Sequence, residues 1–283
     1  MIRTTVLRRM VTVSLMALAL LGLFYLPSFA QGAETENYGG RDMRVHVPAT
    51  LAPEGQRALV VVLHGGLGNA DRIADSQSET GMNLDAAADK NGFVVAYLNG
   101  TGVMRILQDR MLGWNAGACC GQPAANHVDD VGYITDAVKE LERRYHVAPG
   151  RAFVIGHSNG AMMALRMMCE TRVFTAAISI SGALEADDAR CSAASGARIL
   201  AIHGADDQNV PVAGGVGPRG LSRVDYKSED YTAKVFRDSG AHYDLKLVTG
   251  ADHFLNNIDT ALQAQTGHTI QDEAVRFFGI AAR

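Results

Sequence analysis

The sequence predicts an α/β fold with a mainly parallel central sheet and helices on both faces. Apolar runs alternate with segments of helical periodicity along most of the chain, which is typical of this class. Two long irregular segments and a strand–turn–helix motif around Ser158 add to this pattern. Because ligands bind such sheets beyond the carboxyl ends of their strands, we expect the functional residues there.

The strands are predicted from short apolar runs and the helices from period and composition. The predicted strands cover residues 43–47, 58–63, 93–97, 151–155, 175–180, 198–202 and 243–248. The predicted helices cover residues 81–91, 129–145, 161–168, 227–238 and 269–278. The helix at 129–145 places four apolar residues on one face, namely Val131, Ile134, Val138 and Leu141. Asp129 and Asp130 suit the dipole at its start.

Residues 1–30 have the pattern of a secretory signal peptide. Three arginines among the first nine residues precede the apolar stretch 10–26, and small residues then allow cleavage after Ala30. Because the apolar stretch is long for a signal peptide, an uncleaved membrane anchor is the alternative. We expect residues 31–283 to form one catalytic domain that is secreted or periplasmic, without stable membrane association once the signal is removed.

The composition is that of a globular protein with a substantial core. Hydrophobic residues make up 47% of the chain and charged residues 20%. The net charge of -4 argues against a nucleic-acid partner, which would favour a basic surface. The spacing of His and Cys residues does not match a zinc site, so no metal is expected.

The most specific motif is G-x-S-x-G at residues 156–160. It follows an apolar run and precedes helix-forming residues, which is the context of a nucleophile elbow. Glycines permit the sharp turn that would present the Ser158 hydroxyl beyond the sheet. A serine hydroxyl is a weak nucleophile without an adjacent base, so the motif also predicts a histidine and an acid elsewhere.

Both partners are expected later in the chain. Asp206 and Asp207 follow the predicted strand 198–202, and we favour Asp207, although either could orient the base. Of the histidines beyond this point, only His253 comes just after the carboxyl end of a strand. His242 precedes that strand, and His268 leads into the last helix.

The developing negative charge of an acyl-transfer reaction requires backbone N–H donors. The amide of Asn159, next to the nucleophile, is the first candidate. The second lies in the glycine-rich segment after residue 63, where Gly66 is preferred and Leu67 is the alternative. His64 and His203 each precede a glycine at a strand end, and we interpret both as structural residues that hold loops by hydrogen bonds.

Two long loops are predicted to form the pocket walls. The first, residues 99–127, contains Trp114, and the second, residues 210–222, is rich in glycine. Trp114 and Phe254, which follows the predicted base, are therefore expected to contact the substrate.

These motifs together resemble the secreted polyhydroxybutyrate depolymerase-like and feruloyl esterase-like proteins of the α/β-hydrolase fold. The resemblance extends over about residues 38–253. It rests on Leu63-His64-Gly65-Gly66, Gly113-Trp114, Cys119-Cys120-Gly121, Val128-Asp129-Asp130-Val131, residues 156–163, and His203-Gly204 through Val210-Pro211. The resemblance implies hydrolysis of hydroxyalkanoate or hydroxycinnamoyl esters without a metal or organic cofactor, and it supports Asp207 as the acid.

The sequence departs from this pattern around the pocket. Val212 stands where relatives often carry an aromatic residue, and Asp252 and Phe254 flank the predicted base instead of glycine and a later tryptophan. These differences leave the substrate open, with a soluble ester or oligomer favoured over crystalline polymer. A serine peptidase and a non-catalytic binding protein on the same fold are the alternative functions.

Four cysteines in an exported chain favour disulfides over buried free thiols. Cys169 ends the predicted helix after the elbow and Cys191 precedes the next strand, both near the amino end of the sheet. We therefore predict a Cys169–Cys191 bond, which leaves Cys119 and Cys120 as a vicinal pair beside the pocket.

Overall fold

A computed structural model describes residues 32–104, 110–220 and 222–282. The predicted signal peptide, residues 1–30, lies outside the described residues. The strands are Gly32–Tyr38 (β1), Arg41–Val47 (β2), Leu59–Leu63 (β3), Val94–Leu98 (β4), Thr101–Gly102 (β5), Leu112–Gly113 (β6), Ala152–His157 (β7), Ala176–Ile180 (β8), Arg198–Gly204 (β9) and His242–Val248 (β10). The helices are Ala70–Ala74 (α1), Asp85–Asn91 (α2), Gly121–Ala125 (α3), Asp130–Tyr145 (α4), Asn159–Glu170 (α5), Glu229–Asp238 (α6), Leu255–Thr266 (α7) and Ile270–Phe278 (α8).

The central sheet has eight strands in the order β1-β2-β4-β3-β7-β8-β9-β10. Strands β4, β3, β7, β8, β9 and β10 run parallel to one another, whereas β2 pairs antiparallel with both β1 and β4. The carboxyl ends of β3, β7, β9 and β10 therefore meet at one edge of the sheet. β5 and β6 form a separate two-stranded ribbon.

Side chains alternate between two hydrophobic layers, one on each face of the sheet. In β3, Leu59, Val61 and Leu63 belong to one layer, and Val60 and Val62 belong to the other. The first layer includes buried residues of α4, α5 and α6, and the second includes those of α1, α2, α7 and α8. The predicted arrangement of helices on both faces is thus confirmed.

The predicted elements are all present, with small differences at their ends. The helix predicted at 81–91 begins only at Asp85, because Asn83 Oδ1 accepts a hydrogen bond from the Asp85 amide, a local contact that competes with helix formation. Strands β1, β5 and β6 and helices α1, α3 and α7 were not predicted from the sequence. β1 is a largely polar edge strand without apolar alternation.

Both predicted cysteine pairs are bonded in the structure. Cys169 joins Cys191, and Cys119 joins its neighbour Cys120. Among the described residues, no helix has both the length and the apolar character needed to cross a membrane.

Candidate active site

Ser158 occupies a sharp turn between β7 and α5. Its backbone has φ 54° and ψ -122°, a conformation that L-residues rarely adopt and that is typical of functional sites. The turn requires glycine on both sides. A Cβ on Gly156 would lie 2.2 Å from the carbonyl oxygen of Gly160, and a Cβ on Gly160 would lie 2.2 Å from that of Leu63.

The structure brings Ser158, His253 and Asp207 together. The Nε2 atom of His253 lies 2.9 Å from Ser158 Oγ, and its Nδ1 atom lies 2.7 Å from Asp207 Oδ2. These are hydrogen-bond distances in the order nucleophile, base and orienting acid. Asp206, the alternative acid, is exposed, whereas Asp207 is buried. The geometry thus favours Asp207 over its neighbour.

Asp207 is held by hydrogen bonds to both carboxylate oxygens. The amides of Asn209 and Val210 donate to Oδ1, and Oδ2 contacts His203 as well as His253. Burial alone would raise the pKa of Asp207, but the hydrogen bonds from His203 and His253 outweigh burial and hold this pKa below its usual range. The carboxylate is therefore ionised and faces the imidazole of His253.

The proposed oxyanion donors lie around the same serine. Gly66, Leu67 and Asn159 line one cavity with Ser158, and a Cβ on Gly66 would lie 3.8 Å from Asn159 Cβ. Asn159 is the first residue of α5, so its amide is one of the helix donors without an intrahelical acceptor. The positive end of the helix dipole also favours negative charge at this point.

Trp114 does not line this cavity, and the prediction that it contacts the substrate is wrong. Its side chain is fully buried, and its Nε1–H donates a hydrogen bond of 2.9 Å to the carbonyl oxygen of His64. Buried tryptophan requires such a partner for its polar edge. Trp114 therefore supports, from the protein interior, the segment that contains Gly66. Phe254, in contrast, lines the cavity and is 42% exposed.

Two further buried histidines support the site by hydrogen bonds. His157 directly precedes Ser158, and its Nε2 lies 2.8 Å from the carbonyl oxygen of His253, which fixes the backbone at His253. His64 receives the amide hydrogen of Gly100 on Nε2, and its Nδ1 contacts the Gly65 carbonyl. Burial lowers the pKa of His64 to about 4 and that of His157 to about 3, so both imidazoles are neutral at pH 7.

The cavity above Ser158 has a volume of about 590 Å³. The two long loops contribute to its wall as predicted, with Val103, Met104 and Cys120 from the first and Val210 and Ser222 from the second. Its lining is predominantly apolar. Over the part of the chain that the structure describes, no cluster of His, Cys, Asp and Glu is arranged to hold a metal ion.

One residue of this region was not predicted from the sequence. Glu229 at the start of α6 is buried, and its carboxylate lies 2.6 Å from His203 Nδ1. An acidic residue in the first turn of a helix is common because it complements the dipole, so this position gave no distinct signal. His203 holds its loop through a contact of 2.9 Å between Nε2 and the Val210 carbonyl, in line with the predicted structural role.

The sheet order, the turn at Ser158 and the geometry of the site define an α/β-hydrolase. The chain belongs to the phospholipase/carboxylesterase family, whose sequence profile matches residues 47–258. Its fold is similar to that of the crystal structure of esterase PE8, with a TM-score of 0.56 and 21% sequence identity over 83% of this chain and 99% of that one. The predicted α/β-hydrolase fold is confirmed.

Two curated relatives bear the names that the sequence motifs suggested. The chain is 29% identical over 154 residues to a poly(3-hydroxybutyrate) depolymerase from Ralstonia pickettii, which covers 53% of this chain and 30% of that protein. It is also 29% identical over 181 residues to feruloyl esterase B from Piromyces equi, which covers 62% of this chain and 31% of the relative. The match therefore spans under one third of either relative.

Proposed function

We propose that the protein is a secreted serine esterase that hydrolyses carboxylic esters through an acyl-enzyme. One observation carries this proposal: the hydrogen-bonded series Ser158, His253 and Asp207 opens onto a cavity of about 590 Å³. Membership of a family of phospholipases and carboxylesterases supports the ester as the bond that is cleaved.

In the first half of the reaction, Ser158 Oγ attacks the ester carbonyl while His253 Nε2 accepts the hydroxyl proton. The carbonyl oxygen becomes an oxyanion that accepts hydrogen bonds from the backbone amides of Gly66 and Asn159. Asp207 stabilises the imidazolium of His253. The imidazolium then donates its proton to the leaving alcohol, the carbonyl–oxygen bond of the ester breaks, and the acyl group stays on Ser158.

The second half repeats these steps with water. His253 accepts a proton from a water molecule, whose oxygen attacks the acyl carbonyl, and the same two amides hold the second oxyanion. The proton then returns to Ser158 Oγ as the acyl–serine bond breaks. The products are a carboxylic acid and an alcohol, and the free serine is restored.

The cavity supports an apolar or aromatic acyl or alcohol group. Met104 and Phe254 line it and are both 42% exposed, so they provide an apolar surface for substrate. Arg72 also lines the cavity and offers a cation to a substrate carboxylate. A hydroxyalkanoate oligomer with a free carboxyl end uses both features, whereas a hydroxycinnamoyl ester uses the apolar wall alone.

Two observations support an exported protein. The segment 1–30 has the pattern of a signal peptide, and both cysteine pairs are disulfide-bonded in the structure, which suits an oxidising compartment.

The function is tested with residues 31–283 produced in an oxidising compartment. The initial rate of p-nitrophenyl butyrate hydrolysis is measured for the wild type and for Ser158→Ala. We expect a loss of several orders of magnitude in kcat, because the variant lacks the nucleophile. Equal activity of the two proteins would show that Ser158 is not the nucleophile. A folded but inactive wild type would direct the next assay to amides, the substrates of a peptidase.

A second panel separates the two ester classes. It compares methyl ferulate, a 3-hydroxybutyrate trimer with a free carboxylate, and the methyl ester of that trimer. Arg72→Gln should lower kcat/KM for the free acid more than for its methyl ester, because only the acid carries an anion for the guanidinium. An equal loss on both trimers would show that Arg72 does not recognise the substrate carboxylate.

A further inference from the structure

A second buried histidine contacts the acid of the proposed triad. His203 lies in β9, just before the loop that carries Asp207, and its side chain is inaccessible to solvent. Its Nε2 atom lies 3.2 Å from Asp207 Oδ2, the oxygen that also accepts the hydrogen bond from His253. The imidazole of a strand residue, His203, and that of a loop residue, His253, therefore share one carboxylate oxygen.

A second carboxylate holds the other side of the His203 ring. Glu229 Oε1 lies 2.6 Å from Nδ1, and Glu229 Oε2 accepts a hydrogen bond of 2.5 Å from the hydroxyl of Tyr243 on β10. Glu229 and Tyr243 are both buried. The hydrogen bonds thus form one continuous series, which runs from Tyr243 through Glu229, His203 and Asp207 to His253.

The surroundings of His203 leave it only acceptors. Nδ1 faces the Glu229 carboxylate, and Nε2 faces the Asp207 carboxylate and the Val210 carbonyl. A neutral imidazole has one N–H, so both contacts can be hydrogen bonds to ionised carboxylates only when the ring is an imidazolium.

The titratable groups around this ring favour its charged form. Burial lowers the pKa of His203, and the neighbouring histidine His157 carries no charge at pH 7, but the hydrogen bonds and charges of Asp207 and Glu229 raise this pKa to about 9. Tyr243 and His253 face the carboxylates and not the ring itself. His203 is therefore cationic at neutral pH, between two anions.

We infer that the Glu229–His203 ion pair positions Asp207 for catalysis, by fixing the carboxylate oxygen that orients His253. This inference rests on the proposed function. When the Nε2–H of His203 donates to Asp207, each carboxylate oxygen of Asp207 accepts two hydrogen bonds. The carboxylate group therefore cannot rotate without breaking a buried hydrogen bond. Glu229 fixes the ring that supplies one of these donors.

Stability alone is a weak explanation for this cluster. Three ionised groups are desolvated together, and apolar residues of similar volume often stabilise a core as well or better. The arrangement instead resembles the outer hydrogen bonds that orient the ligands of metal sites, whose removal typically costs about 10- to 100-fold in metal affinity or activity.

The test compares two isosteric substitutions of the same residue. His203→Gln replaces Nε2 with an amide that can donate to Asp207, and His203→Asn replaces Nδ1 with an amide that can donate to Glu229. Both variants lose the charge and one contact, so a structural role alone should affect them alike. If His203 positions Asp207, the glutamine should retain most of kcat and the asparagine should lose about 10- to 100-fold, with KM similar in both.

Controls separate misfolding from mispositioning. The concentration of competent sites is measured with a serine-reactive phosphonate, so that kcat refers only to folded enzyme, and His242→Asn serves as a variant of an exposed histidine on β10. A proton resonance for the His253–Asp207 hydrogen bond should remain in His203→Gln and weaken or move in His203→Asn. Equal kcat values for the two variants would overturn the inference.

Substitutions of Glu229 provide an independent test of the same inference. The amide of Glu229→Gln can donate to Nδ1 of a neutral His203, which keeps an Nε2–H for Asp207, whereas Glu229→Leu removes this support. We expect the glutamine variant to keep a higher kcat than the leucine variant, and the reverse order would contradict the inference. An inactive wild type would instead refute the proposed function, so the two failures are distinguishable.

Discussion

The side chain of Asn159 forms hydrogen bonds with both backbone groups of Trp114. Asn159 Oδ1 accepts from the Trp114 amide at 2.7 Å, and Nδ2 donates to the Trp114 carbonyl at 3.1 Å. This pairing joins the first turn of α5 to the loop of residues 99–127. The residue whose backbone amide is the proposed oxyanion donor therefore also holds the pocket wall through its side chain.

Asn159→Ala should reduce stability and kcat together. The variant keeps the backbone amide of residue 159 but leaves the buried amide of Trp114 without an acceptor, while the Trp114 carbonyl keeps only its hydrogen bond from the Cys120 amide at 3.3 Å. The unpaired amide should cost about 1–3 kcal/mol. Urea unfolding and steady-state kinetics measure the two effects. The control is Asn257→Ala, which removes an exposed amide. If the two variants have the same free energy of unfolding, the pairing is unimportant.

Asp207→Asn should lower kcat by up to about 10⁴-fold, because an amide in place of the carboxylate favours the wrong tautomer of His253. Asp206→Asn is the matched control and should be near wild type, since Asp206 is exposed. The kcat of both variants on p-nitrophenyl butyrate decides the assignment. The opposite ranking would make Asp206 the acid.

Gly160→Ala should destabilise the fold by about 3 kcal/mol or more, because the added methyl would meet the carbonyl oxygens of Leu63 and His64 at 2.2 and 2.5 Å. The comparison is Gly267→Ala, where the backbone has φ +77° but no atom lies within 4 Å of the new Cβ. That variant should cost only about 1 kcal/mol for its left-handed backbone. Chemical denaturation measures both values, and equal costs would show that the elbow can relax.

Much of this site was predictable because it depends on local motifs and on strand order. Ser158 lies in a motif with the correct flanking elements, and His253 is the histidine that follows a strand of the parallel sheet at its carboxyl end. The placement of Ser158 and that of His253 require only the rule that the carboxyl ends of parallel strands meet at one edge of the sheet. The choice between Asp206 and Asp207 was harder, since adjacent residues differ only in the direction of their side chains.

The errors arose where tertiary packing decided the outcome. Trp114 is an aromatic residue in a long loop, which suggested a pocket wall, but the pairing with Asn159 draws this part of the loop into the core. Glu229 contacts His203 only because α6 packs near β9 and β10, a non-local relationship that no spacing in the sequence reveals. The helix α7 could have been predicted from the sequence, because its buried residues Leu255, Ile258 and Leu262 recur at helical spacing.

Lowering the pH should destabilise the fold through His64. The pKa of this imidazole is lowered by burial from 6.5 to about 4, so between these values the unfolded chain binds a proton that the folded protein does not. The contribution of His64 to the free energy of unfolding is therefore complete above pH 6.5. It should fall by an amount on the order of 3 kcal/mol as the pH decreases toward 4.

Urea unfolding between pH 7 and pH 4 checks this sign, with His64→Gln as the matched variant. The glutamine can accept from the Gly100 amide in place of Nε2 but does not titrate in this range. Its free energy of unfolding should vary less steeply with pH than that of the wild type. Parallel pH profiles for the two proteins would show that His64 is not the group responsible.

The two disulfides should differ in their effect on stability. Cys169 and Cys191 are 22 positions apart, so their bond restricts a loop of the unfolded chain and should contribute about 3 kcal/mol. Cys119 and Cys120 are adjacent and enclose no such loop. Paired Cys→Ser variants of each bond, compared by chemical denaturation, test this difference, and peptide mapping without reduction checks the connectivity. A larger loss from the adjacent pair would contradict the loop argument.

The distance along the chain between Ser158 and His253 has a consequence for biosynthesis. The two residues are 95 positions apart and meet only when the edge strand β10 has paired with β9. A chain at any earlier stage of assembly carries a serine without its base. Such precursors would not hydrolyse the esters of the producing cell. In a refolding experiment, the rate at which turnover returns would report when β10 pairs with β9.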